Sequence, residues 1–135
     1  MPMIKIEIKN LVETAVKAKK FSQAKYSDFK VGAALLTENG KVYTGCNVES
    51  SSYSLTICAE RVALVKALSE GENNFKAIAI AAKEGEFCPP CGACRQLLYD
   101  YAPDLKIILT NGQTEKIFEL KELLPEAFSN ELLEK

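Results

Sequence analysis

The 135-residue sequence contains no histidine and has no excess of positive charge. Without histidine, any metal site has to use other ligands, such as cysteine thiolates. The 17 basic and 18 acidic side chains give a formal net charge of −1. This balance gives no electrostatic reason to expect a nucleic-acid or other polyphosphate partner. We interpret the lysine-rich stretch at 17–20 as the solvated face of a helix.

The sequence also lacks a long apolar run and a linker of biased composition. The longest apolar stretch, AIAIAA at 77–82, is far too short to span a bilayer. The N-terminal MPMIKIEIKN has no apolar core typical of a signal peptide. We therefore expect one domain over residues 1–135, no membrane partner and a cytoplasmic location, where thiols stay reduced.

The order of helix and strand patterns predicts an α/β fold. Helices are predicted at 8–23, 59–70, 92–101 and 121–124, and strands at 31–37, 41–48, 75–82, 104–111 and 116–120. Asn39 and Gly40 are expected to take positive φ in a tight hairpin between the first two strands, and Gly71 to cap the second helix. The alternation predicts a three-layer α/β/α sandwich with a mixed five-stranded sheet.

Five cysteines are present, and three of them lie in the heptapeptide CPPCGAC at 88–94. Cys91 and Cys94 form a C-x2-C pair at a predicted helix start, and Cys58 precedes another. Helix N-termini carry partial positive charge and stabilise thiolates. Helix starts that follow strand ends converge at one edge of an α/β sheet. We therefore expect these three cysteines to hold one zinc ion, in preference to a redox pair.

The other two cysteines leave one alternative open. Cys88 and Cys91 also have C-x2-C spacing, so Cys88 could complete a structural site of four thiolates. The two prolines between them hold the backbone extended and make this less favourable than a three-cysteine site. Cys46, inside a predicted strand, is interpreted as a small buried apolar side chain.

Three protein ligands would leave a fourth position open, which is typical of a catalytic zinc site. Glu60 lies two residues after Cys58 on the same helical turn, so it can accept a proton from water in that position. The alternative is that Glu60 only complements the helix dipole. Three thiolates give the site a net charge of −1, which Arg61 could offset by hydrogen bonding to a thiolate sulfur. The alternative is that Arg61 is a surface arginine of the helix.

The motif C-A-E at 58–60, followed by P-C-x-x-C at 90–94, resembles the zinc-dependent nucleoside deaminases. The resemblance is strongest to the small homotetrameric cytidine deaminases of the all-cysteine branch and runs from about residue 10 to about residue 128. The stretches that carry it are YSDFKVGAALLT, GKVYTGCNVE, CAERVAL, PCGACRQ and ELLPEAF.

The resemblance implies hydrolytic deamination of free cytidine and 2′-deoxycytidine in pyrimidine salvage. One Zn²⁺ per chain would be bound by Cys58, Cys91 and Cys94. A zinc-bound hydroxide would attack C4 of the cytosine ring, with Glu60 as the proton shuttle and Arg61 as the partner of a thiolate.

The resemblance also implies a nucleoside-binding set. Phe29 would pack against the pyrimidine, and Asn47 and Glu49 would hold the ribose hydroxyls. The amides of Ala59 and Cys91 would contact the edge of the ring.

Finally, the resemblance implies a homotetramer with shared active sites, in which Tyr53 and Phe128 lie near subunit contacts and the substrate. The run Ser50-Ser51-Ser52 departs from the family pattern and leaves fine substrate preference open. Two alternatives remain. One is an aminonucleoside deaminase of the blasticidin type, against which the Asn47 and Glu49 pair argues. The other is a structural zinc module without activity.

Overall fold

The computed structural model describes residues 2–133. Its helices are α1 (Lys5–Ala18), α2 (Ala59–Ser69), α3 (Gly92–Tyr101) and α4 (Leu120–Leu123). Its strands are β1 (Gly32–Thr37), β2 (Val42–Cys46), β3 (Phe75–Ala81), β4 (Lys106–Thr110) and β5 (Glu115–Glu119). Short 3₁₀ helices cover Lys19–Phe21, Tyr53–Leu55 and Asn130–Leu133. Except for α1, these bounds lie within two residues of the predicted ones.

The five strands form one mixed sheet in the order β2-β1-β3-β4-β5. β1 is antiparallel to both β2 and β3, and β5 is antiparallel to β4. β3 and β4 are parallel and are joined through α3. This confirms the predicted hairpin, the helical crossover and the mixed five-stranded sheet.

Side chains alternate in size along β3, and the alternation determines how closely the helices pack. Ile78 and Ile80 point into the core between the sheet and the layer of α2, α3 and α4. Ala77, Ala79 and Ala81 face α1 on the other side. Because β3 presents only alanines to α1, that helix can pack close to the strand, while isoleucines fill the opposite layer. The three-layer α/β/α sandwich is therefore confirmed.

Two strand glycines allow helices to approach the sheet even more closely. A Cβ at Gly32 would collide with the backbone carbonyl of Ala15 in α1. A Cβ at Gly45 would collide with the carbonyl of Ala59 and lie 2.6 Å from the backbone nitrogen of Ala63, both in α2. The first turn of α2 is thus seated directly on β2, which fixes the position of the residues at its N-terminus.

The prediction for α1 was wrong at both ends. The helix begins at Lys5, because the Glu7 carboxylate accepts a hydrogen bond from the backbone N–H of Ile4 at 3.1 Å and caps the first turn. It does not continue to residue 23. The amide of Gln23 instead donates to the carbonyl of Asn47 at 2.9 Å, so the chain leaves the helical path and runs beside the segment after β2.

The hairpin prediction was half right. Gly40 has φ +91°, but Asn39 does not take a positive φ. The Gly40 amide donates to the Thr37 carbonyl at 3.1 Å, so only the last residue of the turn needs the left-handed conformation. Gly71, with φ +91°, ends α2 as predicted. No helix of the described residues has the length and apolar character needed to cross a membrane.

Candidate metal centre

The N-terminus of α2 brings a cysteine and a carboxylate into the interior. Cys58 is the N-cap residue, with extended backbone angles of φ −71° and ψ 152°. Ala59 is fully buried, and Glu60 has only 5% of its surface exposed. Because Gly45 lets this turn pack onto β2, the position of both functional side chains is set by contact between the helix and the sheet.

The N-terminus of α3 brings two further cysteines to the same place. Cys91 is the N-cap of α3 and is exposed, whereas Cys94, one turn later, is fully buried. Pro90 lies buried just before the cap, where its missing N–H costs no helical hydrogen bond. The sequence prediction that two helix starts converge is therefore confirmed.

The sulfur atoms of Cys58, Cys91 and Cys94 all lie within 4.8 Å of one another. Those of Cys58 and Cys91 are 3.8 Å apart, and none of the three is in a disulfide. Three thiols at this separation are the donor set that Zn²⁺ prefers. The cluster therefore fits one zinc ion with a coordination position left for a non-protein ligand.

The remaining two cysteines lie outside this group. Cys88 is half-buried and does not belong to the cluster found among the described residues, which favours three protein ligands over four. Burial and the neighbouring negative groups raise the pKa of the Cys88 thiol, which keeps it protonated. The prediction that Cys46 is buried was wrong, because it lies at the last position of β2 and is only partly buried.

The charges around the cluster favour a thiolate at Cys58. The Cys94 thiol and the Arg61 guanidinium stabilise that thiolate and lower the pKa of Cys58 to about 5, although burial opposes them. The Cys94 thiol donates a hydrogen bond to the Cys58 sulfur and is buried. Both effects raise the pKa of Cys94 in the metal-free protein. A bound cation displaces thiol protons, so the cysteines of the cluster can ionise when a metal binds.

Arg61 lies beside the cluster, as predicted. Its Nη2 is 3.9 Å from the Cys58 sulfur and donates to the Thr56 carbonyl at 3.2 Å. Its Nε is buried and has no hydrogen-bond partner within the described part of the chain. A partly buried guanidinium next to three thiols fits a centre that carries negative charge once the thiols are ionised.

Glu60 is close to the cluster but does not belong to it, since its carboxylate oxygens do not lie within the 4.8 Å group of the three sulfurs. Burial, reinforced by the negative charge of Cys58, raises the pKa of Glu60 to about 7. The carboxylate therefore changes its protonation state near neutral pH. That property is required of a group that both accepts and returns a proton at that pH.

Asn47 organises the backbone of the segment that precedes β1. Its side-chain oxygen accepts hydrogen bonds from the Val31 amide, at 3.0 Å, and from the Ser22 hydroxyl. Its amide nitrogen donates to the Phe29 carbonyl at 2.7 Å. With 7% of its surface exposed, Asn47 thus holds the segment that leads into β1 and has one N–H left for a further partner.

Glu49 organises the same segment from its exposed side. One carboxylate oxygen accepts from the amides of Tyr26 and Ser27 at 2.9 and 3.0 Å, and the other accepts from the Ser27 hydroxyl. These hydrogen bonds, those of Ser27 first, lower the pKa of Glu49 and keep it ionised. The second oxygen still has a lone pair available for a hydroxyl donor.

Three aromatic residues singled out from the sequence are exposed. Phe29 is 43% exposed, Tyr53 77% and Phe128 52%. Tyr53 lines a cavity of about 310 Å³ together with Tyr26, Ser27, Glu49 and Thr56. Phe128 lies elsewhere, where its carbonyl accepts a hydrogen bond from Gln96 on the outer side of α3 at 3.0 Å. Within one chain, Tyr53 is therefore near Glu49, but Phe128 is not part of that cavity.

The serine run after Glu49 closes a short loop. The Ser50 amide donates to the Thr56 hydroxyl at 3.1 Å, and the Ser52 amide donates to the Ser50 hydroxyl at 3.1 Å. Two of the three serines thus have a structural use, which sequence reasoning did not assign. Ser27 was also missed as the main partner of Glu49, because the two residues are 22 positions apart and no local pattern joins them.

Comparison with known proteins identifies the family. A protein-family model, that of the cytidine and deoxycytidylate deaminase zinc-binding region, matches residues 5–110. A cytidine deaminase of Sporosarcina psychrophila is 44% identical over 129 residues, covering 93% of this chain and 94% of that protein. One of Halalkalibacterium halodurans is 47% identical over 124 residues, covering 90% and 93%.

A solved structure gives the same result for the fold. The crystal structure of cytidine deaminase from Burkholderia pseudomallei superposes with a TM-score of 0.86 at 45% identity, covering 93% of this chain and 100% of that one. The matched region contains all three cysteines of the cluster, Glu60 and Arg61. The chain therefore belongs to the cytidine and deoxycytidylate deaminase family defined by this zinc-binding region.

Proposed function

We propose that the protein hydrolyses free cytidine and 2′-deoxycytidine to uridine and 2′-deoxyuridine, with release of ammonia. The observation that carries this proposal is the buried carboxylate of Glu60 beside the cluster of Cys58, Cys91 and Cys94. When bound, zinc supplies a Lewis acid that lowers the pKa of a coordinated water. A purely structural zinc site would have no use for a buried, titrating acid next to its ligands.

Glu60 moves the protons of the reaction. It accepts one proton from the attacking water and delivers it to N3 of the cytosine ring. It then takes the second proton from the hydroxyl group now bonded to C4 and passes it to the amino group, which leaves as ammonia. A pKa near 7 suits both directions of transfer, because neither form of the carboxylate is strongly favoured at neutral pH. The amides of Ala59 and Cys91, at the two helix starts, are the proposed donors to the edge of the ring.

The ribose is assigned to Asn47 and Glu49. Asn47 has one N–H left, and Glu49 has an oxygen lone pair left, after their internal hydrogen bonds are counted. Phe29 lies in the segment before β1 that Asn47 and Glu49 hold, and its exposed ring is available to pack against the pyrimidine. Each of these residues is fixed by hydrogen bonds to its neighbours, which reduces the ordering cost of binding.

We further propose a homotetramer in which Tyr53 and Phe128 of one chain approach the active site of another. The large exposed area of both aromatic rings supports an interface at these positions. We also propose a cytoplasmic location, because free thiols persist under reducing conditions. Sedimentation velocity tests the assembly, and a monomer at micromolar concentration would contradict it.

Spectrophotometry of cytidine turnover tests the proposed function. The zinc-loaded protein is mixed with cytidine, 2′-deoxycytidine or blasticidin S, and ammonia release is measured beside the loss of the cytosine chromophore. Turnover of the two nucleosides supports the proposal. Turnover of blasticidin S alone would assign the aminonucleoside activity, and no turnover by protein with one zinc per chain would leave a structural module.

The ionised Glu49 predicts discrimination against nucleotides. A 5′-phosphate would bring about two further negative charges near this carboxylate, and none of the five residues that line its cavity is basic. We expect kcat/KM for CMP and dCMP to be at least about tenfold lower than for the nucleosides. Glu49→Gln should narrow this ratio, because it removes the charge and keeps a carbonyl acceptor. Equal kcat/KM for CMP and cytidine in the wild type would contradict this placement of Glu49.

A second prediction concerns Arg61. Arg61→Ala removes a positive charge 3.9 Å from the Cys58 sulfur. The centre becomes more negative and holds the water proton more tightly, so the acidic limb of the pH–rate profile should move to higher pH. Lys66→Ala is the matched control, since Lys66 is an exposed base on the same helix whose ammonium lies 3.5 Å from the Thr44 hydroxyl. If both variants show the wild-type profile, Arg61 has no electrostatic role.

A further inference from the structure

Arg95, on the first turn of α3, holds both backbone carbonyls that flank Cys91. Its amide donates to the Cys91 carbonyl at 2.9 Å, and its side-chain Nε donates to the Pro90 carbonyl at 2.7 Å. The same guanidinium donates through Nη1 to the Leu123 carbonyl, at the end of α4, at 2.7 Å. One residue therefore fixes the peptide groups on both sides of a cysteine in the metal cluster and connects them to α4.

The chain before Cys91 needs such an anchor. Pro89 and Pro90 have no N–H, so neither can hold the segment by donating a backbone hydrogen bond. Pro90 is buried, and its carbonyl would lose its solvent partner without a replacement. Cys94 is held by packing because it is fully buried, but Cys91 is exposed and lacks that support.

We infer that Arg95 is a positioning residue that orients the Cys91 sulfur towards the sulfurs of Cys58 and Cys94. It acts through the backbone, and the planar guanidinium suits the task because its donors have a fixed geometry relative to one another. Groups that orient metal ligands in this way typically contribute about 10–100-fold in metal affinity. The inference rests on zinc binding by the three cysteines, and it is independent of which nucleoside is the substrate.

The test is zinc release from the folded protein. Arg95→Met removes both side-chain hydrogen bonds and keeps an apolar stem of similar length. Gln96→Ala is the matched control, since Gln96 is the next residue on α3 and also donates to a distant carbonyl, that of Phe128, but not to the cysteine segment. Each protein is loaded with one zinc and mixed with a chromogenic chelator at a temperature well below its Tm.

Arg95→Met should release zinc at least about tenfold faster than the wild type, and Gln96→Ala should stay within about twofold of it. In the metal-free proteins, the ratio of Cys91 to Cys58 labelling by a small alkylating reagent should also change for Arg95→Met alone. A lower Tm with wild-type zinc release and wild-type labelling would assign Arg95 to general stability and overturn the inference.

A second variant is available if Arg95→Met does not fold. Arg95→Lys keeps the charge and the stem but replaces the fixed fork of donors by a single ammonium group. Zinc release by this variant at the wild-type rate overturns the inference, and faster release supports it. Zinc content and cytidine turnover of the wild-type preparation report on the proposed function separately.

Discussion

Glu60→Gln is expected to keep its zinc and its fold and to lose about 10²–10⁴-fold in kcat. The amide has the size of the carboxylate and can hydrogen-bond a water, but it cannot take up a proton. Glu60 lies outside the group of three sulfurs, so its replacement should not release the metal. The measurements are kcat by loss of cytosine absorbance, zinc by metal analysis and Tm by circular dichroism.

Glu70→Gln is the matched control, because Glu70 is an exposed acid at the opposite end of the same helix. It should show wild-type turnover. Loss of zinc from Glu60→Gln would instead identify Glu60 as a ligand, and the proton-transfer role would then be wrong. Wild-type turnover by Glu60→Gln would remove the observation on which the proposed function depends.

The same variant has a second readout in the metal-free protein. Burial raises the pKa of Glu60 from 4.5 to about 7, so the folded state binds its proton more tightly than the unfolded state does. This group therefore contributes a loss of stability as pH rises from about 4.5 to 7, and the loss persists at higher pH. Glu60→Gln lacks it. Its Tm should exceed that of the wild type above pH 7, and the difference should vanish below pH 4.

The sequence predicted the layers of the fold well because they depend on local periodicity. Strict alternation of isoleucine and alanine in β3 indicates a strand covered on both faces, and the structure confirms it. Gly71 marked a helix end correctly, since a glycine acts through its own backbone geometry. The metal cluster was predictable from the order of the elements, because helix starts that follow strand ends meet at one edge of an α/β sheet.

What sequence reasoning missed depends on contacts between distant residues. Asn47 reaches back to the segment before β1, and Glu49 to Ser27, over 16 to 25 positions of sequence. No periodic pattern reports such hydrogen bonds. α1 ends at Ala18 and not at residue 23 for a similar reason, because the Gln23 amide donates to the carbonyl of the distant Asn47. Residues that were assigned to substrate from the family resemblance therefore have a structural task as well.

Substitutions of Asn47 and Glu49 can affect both the protein's own hydrogen bonds and the proposed binding of ribose. Asn47→Ala would lose an N–H for the ribose and would also release Val31 and Phe29 from their hydrogen bonds. A fall in kcat/KM for that variant would mix the two effects. Glu49→Gln separates them better, because an amide oxygen can still accept from Tyr26 and Ser27 while the charge is removed.

Cys91→Ser is expected to abolish zinc binding, while Cys88→Ser keeps one zinc per chain. Cys91 lies in the group of three sulfurs, 3.8 Å from the Cys58 sulfur, and Cys88 does not belong to that group. A serine hydroxyl does not ionise near neutral pH and cannot replace a thiolate ligand. The two variants are well matched, because each replaces a cysteine in the same proline-containing segment by the same residue.

Thermal stability should distinguish Cys91→Ser from Cys88→Ser in the same way as zinc content does. Zinc that binds the folded cluster and not the unfolded chain stabilises the fold by linkage, so its loss lowers Tm. Addition of a chelator should therefore lower the Tm of the wild type and of Cys88→Ser, and it should leave that of Cys91→Ser unchanged. Zinc is measured by metal analysis after gel filtration, and Tm by circular dichroism with and without chelator.

Cobalt substitution tests the ligand number itself. Each thiolate bound to Co²⁺ adds charge-transfer absorption in the near ultraviolet, so the intensity reports how many cysteines are ligands. Cys88 lies outside the group of three sulfurs, so Cys88→Ser should show the wild-type intensity. A drop by about one quarter in Cys88→Ser would establish a closed shell of four thiolates in the wild type. Such a shell leaves no position for water, and the hydrolytic function would fail with it.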